Sequence, residues 1–115
     1  MIVVYFPKIK TNIIAGHFSP HRKHISFNQI CFLENYLSKL SDRIILIGDF
    51  NLKGRCLNFK SLAYISECIK TCPITRGLRV FIKDLDHIFV RGWKKQGIGF
   101  LEGASDHRLI YADVF

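Results

Sequence analysis

No apolar stretch in the sequence approaches the roughly 18 residues that a membrane-crossing helix needs, so no membrane span is expected. The apolar start, Met1 to Phe6, has no basic region before it and no small-residue cleavage site after it. It reads as a strand and not as a secretion signal. Acidic residues are scarce: nine Asp and Glu stand against 17 Lys and Arg, giving a net charge of +8. That surplus favours anionic partners, phosphates above all. Paired C-x2-C knuckles are missing. A zinc module built from Cys68 and Cys72 with the loosely spaced His17, His21 and His24 therefore lacks its usual framework. Cys31, Cys56, Cys68 and Cys72 read as free thiols of a reducing compartment, which makes the expected location cytoplasmic, with Cys31 on the apolar side of a helix.

What is present is the composition of one globular domain, residues 1–115, at 49% hydrophobic and 23% charged, with no repeat or linker. Ile2 to Phe6 and Asn12 to Phe18 are apolar and β-branched, and Pro7 to Thr11 separates them, as in a hairpin or two adjacent strands. Ile30, Leu33, Leu37 and Leu40 recur at helical spacing and predict a helix over 27–40. Ser26 and Gln29 fit a capping box there, with Ile25 and Ile30 as the staple across it. The unbroken run Ile44-Ile45-Leu46-Ile47 predicts a strand covered on both faces. A second, weaker helix is predicted over 58–69 and a strand over 85–90. Beyond it come a glycine-rich loop with a short strand near 98–101 and a last strand over 109–114. This order is that of a layered α+β protein, a mixed sheet with helices packed on it.

Acids and histidines fall where these strands end. His17 closes the second strand, Asp49 and Asn51 follow the third, Asp86 opens the next, and Ser105-Asp106-His107 precedes the last. Each has an ordinary structural reading as a turn former or a cap. Together they supply what phosphodiester hydrolysis requires. Carboxylates can hold a divalent cation and take a proton from water, and cationic donors can face the phosphoryl oxygens.

The motifs themselves resemble a known family. Ile44 to Asn51 looks like the strand and GDFN motif of the endonuclease/exonuclease/phosphatase (deoxyribonuclease-I-like) family. Leu85 to Val90 is similar to its (I/L)D-x-I-(F/L)-V strand, and Ser105-Asp106-His107-Arg108 to its terminal SDH motif. Ile13 to Ser19, with His17, resembles the strand ending in histidine before the long helix, so the match runs from about residue 12 onward. The resemblance implies a metal-dependent phosphoesterase, most plausibly a nuclease or other phosphodiesterase. Asp49 would activate the attacking water, with Asn51 holding it and the phosphate. Asp86 would orient His107 and favour its charged form, His107 would contact a phosphoryl oxygen or the leaving group, and His17 would donate to the scissile phosphate. Asp106 and Asp49 would lie at the metal, Mg²⁺ or in its place Mn²⁺.

The family's early asparagine and its glutamate metal ligand would precede Met1, because Glu34, Glu67 and Glu102 stand in no such motif. The expectation is thus the C-terminal half of a four-layer sandwich, with helices on one sheet face and the other face left for an N-terminal half or for self-association. The implied partner is a phosphate-containing substrate, nucleic acid given the charge, with His21-Arg22-Lys23-His24 and Lys94-Lys95 as candidate contacts. The alternative is a catalytically silent remnant of the same fold that binds nucleic acid or protein.

Overall fold

The computed structural model describes residues 1–19, 23–51, 63–64, 85–101, 107 and 109–115. Strand β1 (Ile2–Phe6) turns through a 3-10 segment at Pro7–Ile9 into the antiparallel β2 (Thr11–His17). Pro7 fixes the start of that turn, and Lys10 closes it at φ 47°, donating its N–H to the Pro7 carbonyl at 3.2 Å. Helix α1 (Lys23–Ser38) then returns the chain so that β3 (Arg43–Asp49) runs parallel to β2. Strand β5 (Asp86–Arg91) pairs antiparallel with β3 and with the short β4 (Ala63–Tyr64), giving the order β1-β2-β3-β5-β4. Strands β6 (Lys95–Leu101) and β7 (Leu109–Val114) form a separate two-stranded sheet. Among the described residues, no helix is long and apolar enough to cross a membrane.

The helical stripe packs as its spacing implies. Leu33 and Leu37 are buried against Ile14, Ile44, Leu46 and Phe89, with Ile30, Tyr36 and Leu40 at the margin. The end of α1 is held from the sheet: the Arg91 guanidinium donates to the carbonyls of Leu37, Leu40 and Asp42. A cation there satisfies carbonyls that have no partner within the helix and opposes its negative end.

Several expectations need correction. The helix starts at Lys23, so Ser26 lies inside its first turns and is no N-cap; Gln29 instead accepts the Ser19 N–H at 3.1 Å. A tertiary partner has displaced the local one. Cys31 is exposed, one step round the helix from the stripe. Residues 63–64 are a strand where a helix was predicted, because β5 offers an edge for pairing; the rest of 58–69 lies outside the described residues. The glycine-rich stretch holds a seven-residue strand, β6, not a short one. A Cβ on Gly99 would strike the Tyr111 side chain across the hairpin, so this glycine makes room for a cross-strand ring. Cys56, Cys68, Cys72, His21 and Arg22 lie outside the described residues.

β3 is covered on one face only by the helix. Ile44 and Leu46 face α1 and are fully buried, whereas Ile45 is half-buried and Ile47 exposed. The open face continues through Ile2, Val4 and Phe6 of β1, all exposed. Ile88 and Val90 of β5 point the same way but are buried.

Phe50 ties the two halves of the core. Its ring is fully buried, stacks on Phe18 with centroids 4.8 Å apart, and meets Phe89 edge-on at 5.8 Å. Phe50→Ala should cost about 3–5 kcal/mol, the usual range for emptying a buried aromatic site. Urea denaturation checks it, with a lower midpoint and an unchanged slope expected.

Candidate active site

The site forms where parallel strands β2 and β3 end together. In their register Gly16 lies beside Gly48 and His17 beside Asp49. Gly48 has φ 153°, and a Cβ there would collide with the Gly16 carbonyl oxygen. A side chain at position 48 is therefore excluded both by space and by the positive φ. Gly48 opens the GDFN motif, whereas its partner Gly16 is a signal that the motif reading passed over.

Beyond the strand ends the two chains stay joined. The Phe18 N–H donates to the Asp49 carbonyl, and the Phe50 N–H to the Leu85 carbonyl, each at 2.8 Å. Asp49 Oδ1 accepts the Asn51 N–H at 2.8 Å, a side-chain-closed turn that holds Asn51 at φ 50°. The Asn51 side chain spends one amide proton on the Phe18 carbonyl at 2.7 Å. Buried Phe50, between these polar neighbours, anchors both.

Asp86 opens β5 directly opposite Asp49 in the antiparallel register. His107, just before β7, places Nδ1 2.7 Å from Asp86 Oδ2. His17 Nε2 lies 3.7 Å from Asp49 Oδ2, with its side chain largely exposed. Ligand atoms of Asp49, Asp86 and His107 come within 4.8 Å of one another. Asp49 and Asp86 line a cleft of about 500 Å³ whose walls also include His17, Ile47, Ile88 and Ile110. The structure therefore brings Asp49, Asp86 and His107 together, with His17 and Asn51 at their side. Asp106 and Arg108 lie outside the described residues. Lys94 and Lys95 are exposed but follow the far end of β5, away from this cluster. His87 is a core residue: it is fully buried on the helix face, tilted against Phe50 and Phe89.

Burial is the largest influence on Asp86 and raises its pKa from the ordinary aspartate value; neighbouring Asp49 adds to this, while the hydrogen bond and charge of His107 oppose it. A carboxyl group with a raised folded-state pKa contributes stability that is fully present below its unfolded value and is lost as pH rises through the folded one. In metal-free protein, Asp86→Asn should therefore gain stability relative to the native chain as pH rises above about 4 toward neutrality. Urea midpoints for both proteins across that interval give the comparison; a constant difference would show that Asp86 titrates like an exposed carboxylate.

No protein-family model and no curated protein match the sequence. Solved structures do match the fold. The TDP2 structure of D. rerio, complexed with a single-strand DNA product, superposes with a TM-score of 0.80 at 17% identity, covering 98% of this chain and 59% of that one. A mannosyl-6-phosphatase of Bacteroides thetaiotaomicron VPI-5482 matches with a TM-score of 0.70 at 14% identity, over 91% of this chain and 51% of that one. A functionally unknown conserved protein from Enterococcus faecalis V583 matches at 0.69 and 18%, over 91% and 50%. The chain thus spans about half to three-fifths of the length of the structures it matches. Motif order, α+β topology and these likenesses agree: the chain carries the fold of the endonuclease/exonuclease/phosphatase proteins.

Proposed function

We propose that the chain provides the water-activating and phosphate-contacting part of a metal-dependent phosphodiesterase acting on nucleic acid. The observation that carries this reading is the convergence of Asp49, Asp86 and His107, from separate elements, on one point beside an open cleft. The net charge of +8 supports a polyanionic substrate, as does the likeness to a protein solved with a DNA product.

The donor set fits a divalent cation. Mg²⁺ is held in such sites by one or two carboxylates and keeps much of its water, and Mn²⁺ tolerates a nearby imidazole. Asp49, with Asp106, would hold it, and Asp86 stands within reach. When bound, the cation lowers the pKa of water and neutralises charge on the phosphoryl oxygens.

The chain's own residues do the rest. Asp49 takes the proton of the attacking water. Asn51 orients that water with its second amide proton, the first being committed to the Phe18 carbonyl. Asp86 holds His107 through Nδ1, favouring the charged ring, which donates from Nε2 to a phosphoryl oxygen or the leaving oxygen. His17, exposed beside Asp49, donates to the scissile phosphate.

A second reading, a silent remnant that binds another protein, draws on the exposed apolar face of Ile2, Val4, Phe6 and Ile47. Hydrolysis of a DNA strand separates the two. The chain is assayed with Mg²⁺ or Mn²⁺, alone and mixed with a polypeptide supplying the family's early Asn and Glu motifs. Asp49→Ala and His107→Ala should each lower the rate by about 10²–10⁴-fold, and chelation should abolish it. An inactive mixture with both metals would leave the silent reading standing.

Metal binding has its own readout. Mn²⁺ should raise the thermal midpoint of the native chain and not that of Asp49→Asn/Asp86→Asn. Equal responses in the two proteins would remove the cation from this site.

A further inference from the structure

A second hollow, of about 400 Å³, opens between the end of β2 and the first half of α1. It shares Met1, Gly16 and His17 with the cleft at the acidic group, so the two spaces meet at these residues. Its apolar walls are Met1, Phe18, Ile25, Phe32 and Leu33, and its polar lining residues are Asn28 and Gln29, with His17 at the junction. The inner wall is rigid, because Phe18 is stacked on buried Phe50 and Leu33 belongs to the core. The rim is accessible: Phe32 is 64% exposed.

We propose that this hollow takes the base of a nucleotide whose phosphate lies at Asp49 and His107. The inference rests on the phosphodiesterase reading and names the part of the substrate that gives specificity. The volume lies within the usual range for small-ligand sites. Apolar walls beside neutral amides suit a flat group with apolar faces and a hydrogen-bonding rim. An acyl chain would desolvate both amides without giving them partners. A bare sugar would set its hydroxyls against Phe, Ile and Leu. A heterocyclic base satisfies both requirements.

Gln29 is oriented for that task. Its Oε1 accepts the Ser19 N–H at 3.1 Å, which fixes the amide and leaves Nε2 as the donor for a ligand. The backbone bond that seats Gln29 is therefore also what sets the polarity of the hollow. His17, 3.7 Å from Asp49 at the junction, joins the base position to the phosphate position.

The test is equilibrium binding of thymidine 5′-monophosphate and of deoxyribose 5-phosphate, by calorimetry, to the full chain. The nucleotide should bind about tenfold more tightly or better, the scale of one base–aromatic contact. Phe32→Ala should remove that advantage and leave deoxyribose 5-phosphate unaffected. Asn28→Ala should alter the ranking of thymidine and adenosine monophosphates. Equal affinity of the two probes, equal weakening of both by Phe32→Ala, or no binding of either overturns the base site. The two readings fail separately. Nucleotide preference without diester hydrolysis removes the enzyme and keeps the base site, whereas equal hydrolysis of diesters with and without a base does the reverse.

Discussion

The close approach of Gly16 and Gly48 is the constraint on which the site depends. A parallel pair normally carries side chains along its whole length, and here the last rung before the functional residues has none. His17 and Asp49 follow this rung side by side at the strand ends, and Phe18 and Phe50 pack beyond them as a stacked pair. Phe50 then fixes the chain on both sides of itself. Its N–H is bound to Leu85, next to Asp86, so the β3 loop and the start of β5 are held by the same residue. Precision at the acidic group is thus supplied by apolar burial one residue away, a stronger restraint than hydrogen bonds at a wet surface provide.

The two faces of the sheet divide the labour. One is sealed by α1 and carries most of the core. The other is apolar but open across β1, β2 and β3, and the cleft at its end includes Ile110 of the β6–β7 hairpin. Both parallel strands deliver their carboxyl ends to the same edge, where open sheets commonly bind ligands. The antiparallel β5 contributes its first residue, Asp86, to that edge. Cationic Arg91 at its other end serves α1 instead. One strand therefore couples the acidic group to the helix that walls the second hollow.

Much of this was legible in the sequence. The apolar runs at 2–6 and 44–47 and the stripe from Ile30 to Leu40 marked elements that the structure contains. For the helix, burial on one side imposes a period on the residues, whereas the unbroken run at 44–47 wrongly implied a strand covered on both faces, and Ile47 is exposed. Reading the four polar motifs in order also identified the fold, and the Asp86–His107 contact follows from it. What escaped was set by distant partners. Ser26 and Gln29 look like a local cap, yet the Gln29 amide is taken by Ser19 across a turn. Gly99 looks like a breaker, yet it accommodates Tyr111 from the facing strand. The second hollow has no motif at all, since its walls come from residues that each have an ordinary place on a helix or strand.

Asp86 shows how the parts bear on one another. Facing Asp49 across the sheet, it is half-sheltered by the hairpin side of the cleft, and burial raises its pKa. Its proposed work requires the ionised form, since a carboxylate holds a charged imidazole far better than a carboxylic acid does. The His107 charge moves it in that direction but does not reverse the shift. A divalent cation held at Asp49 would oppose the effect of burial on Asp86 and favour its carboxylate form. The juxtaposition of Asp49 and Asp86 that adds to the raised pKa in the bare chain is therefore the same geometry on which the proposed cation site rests.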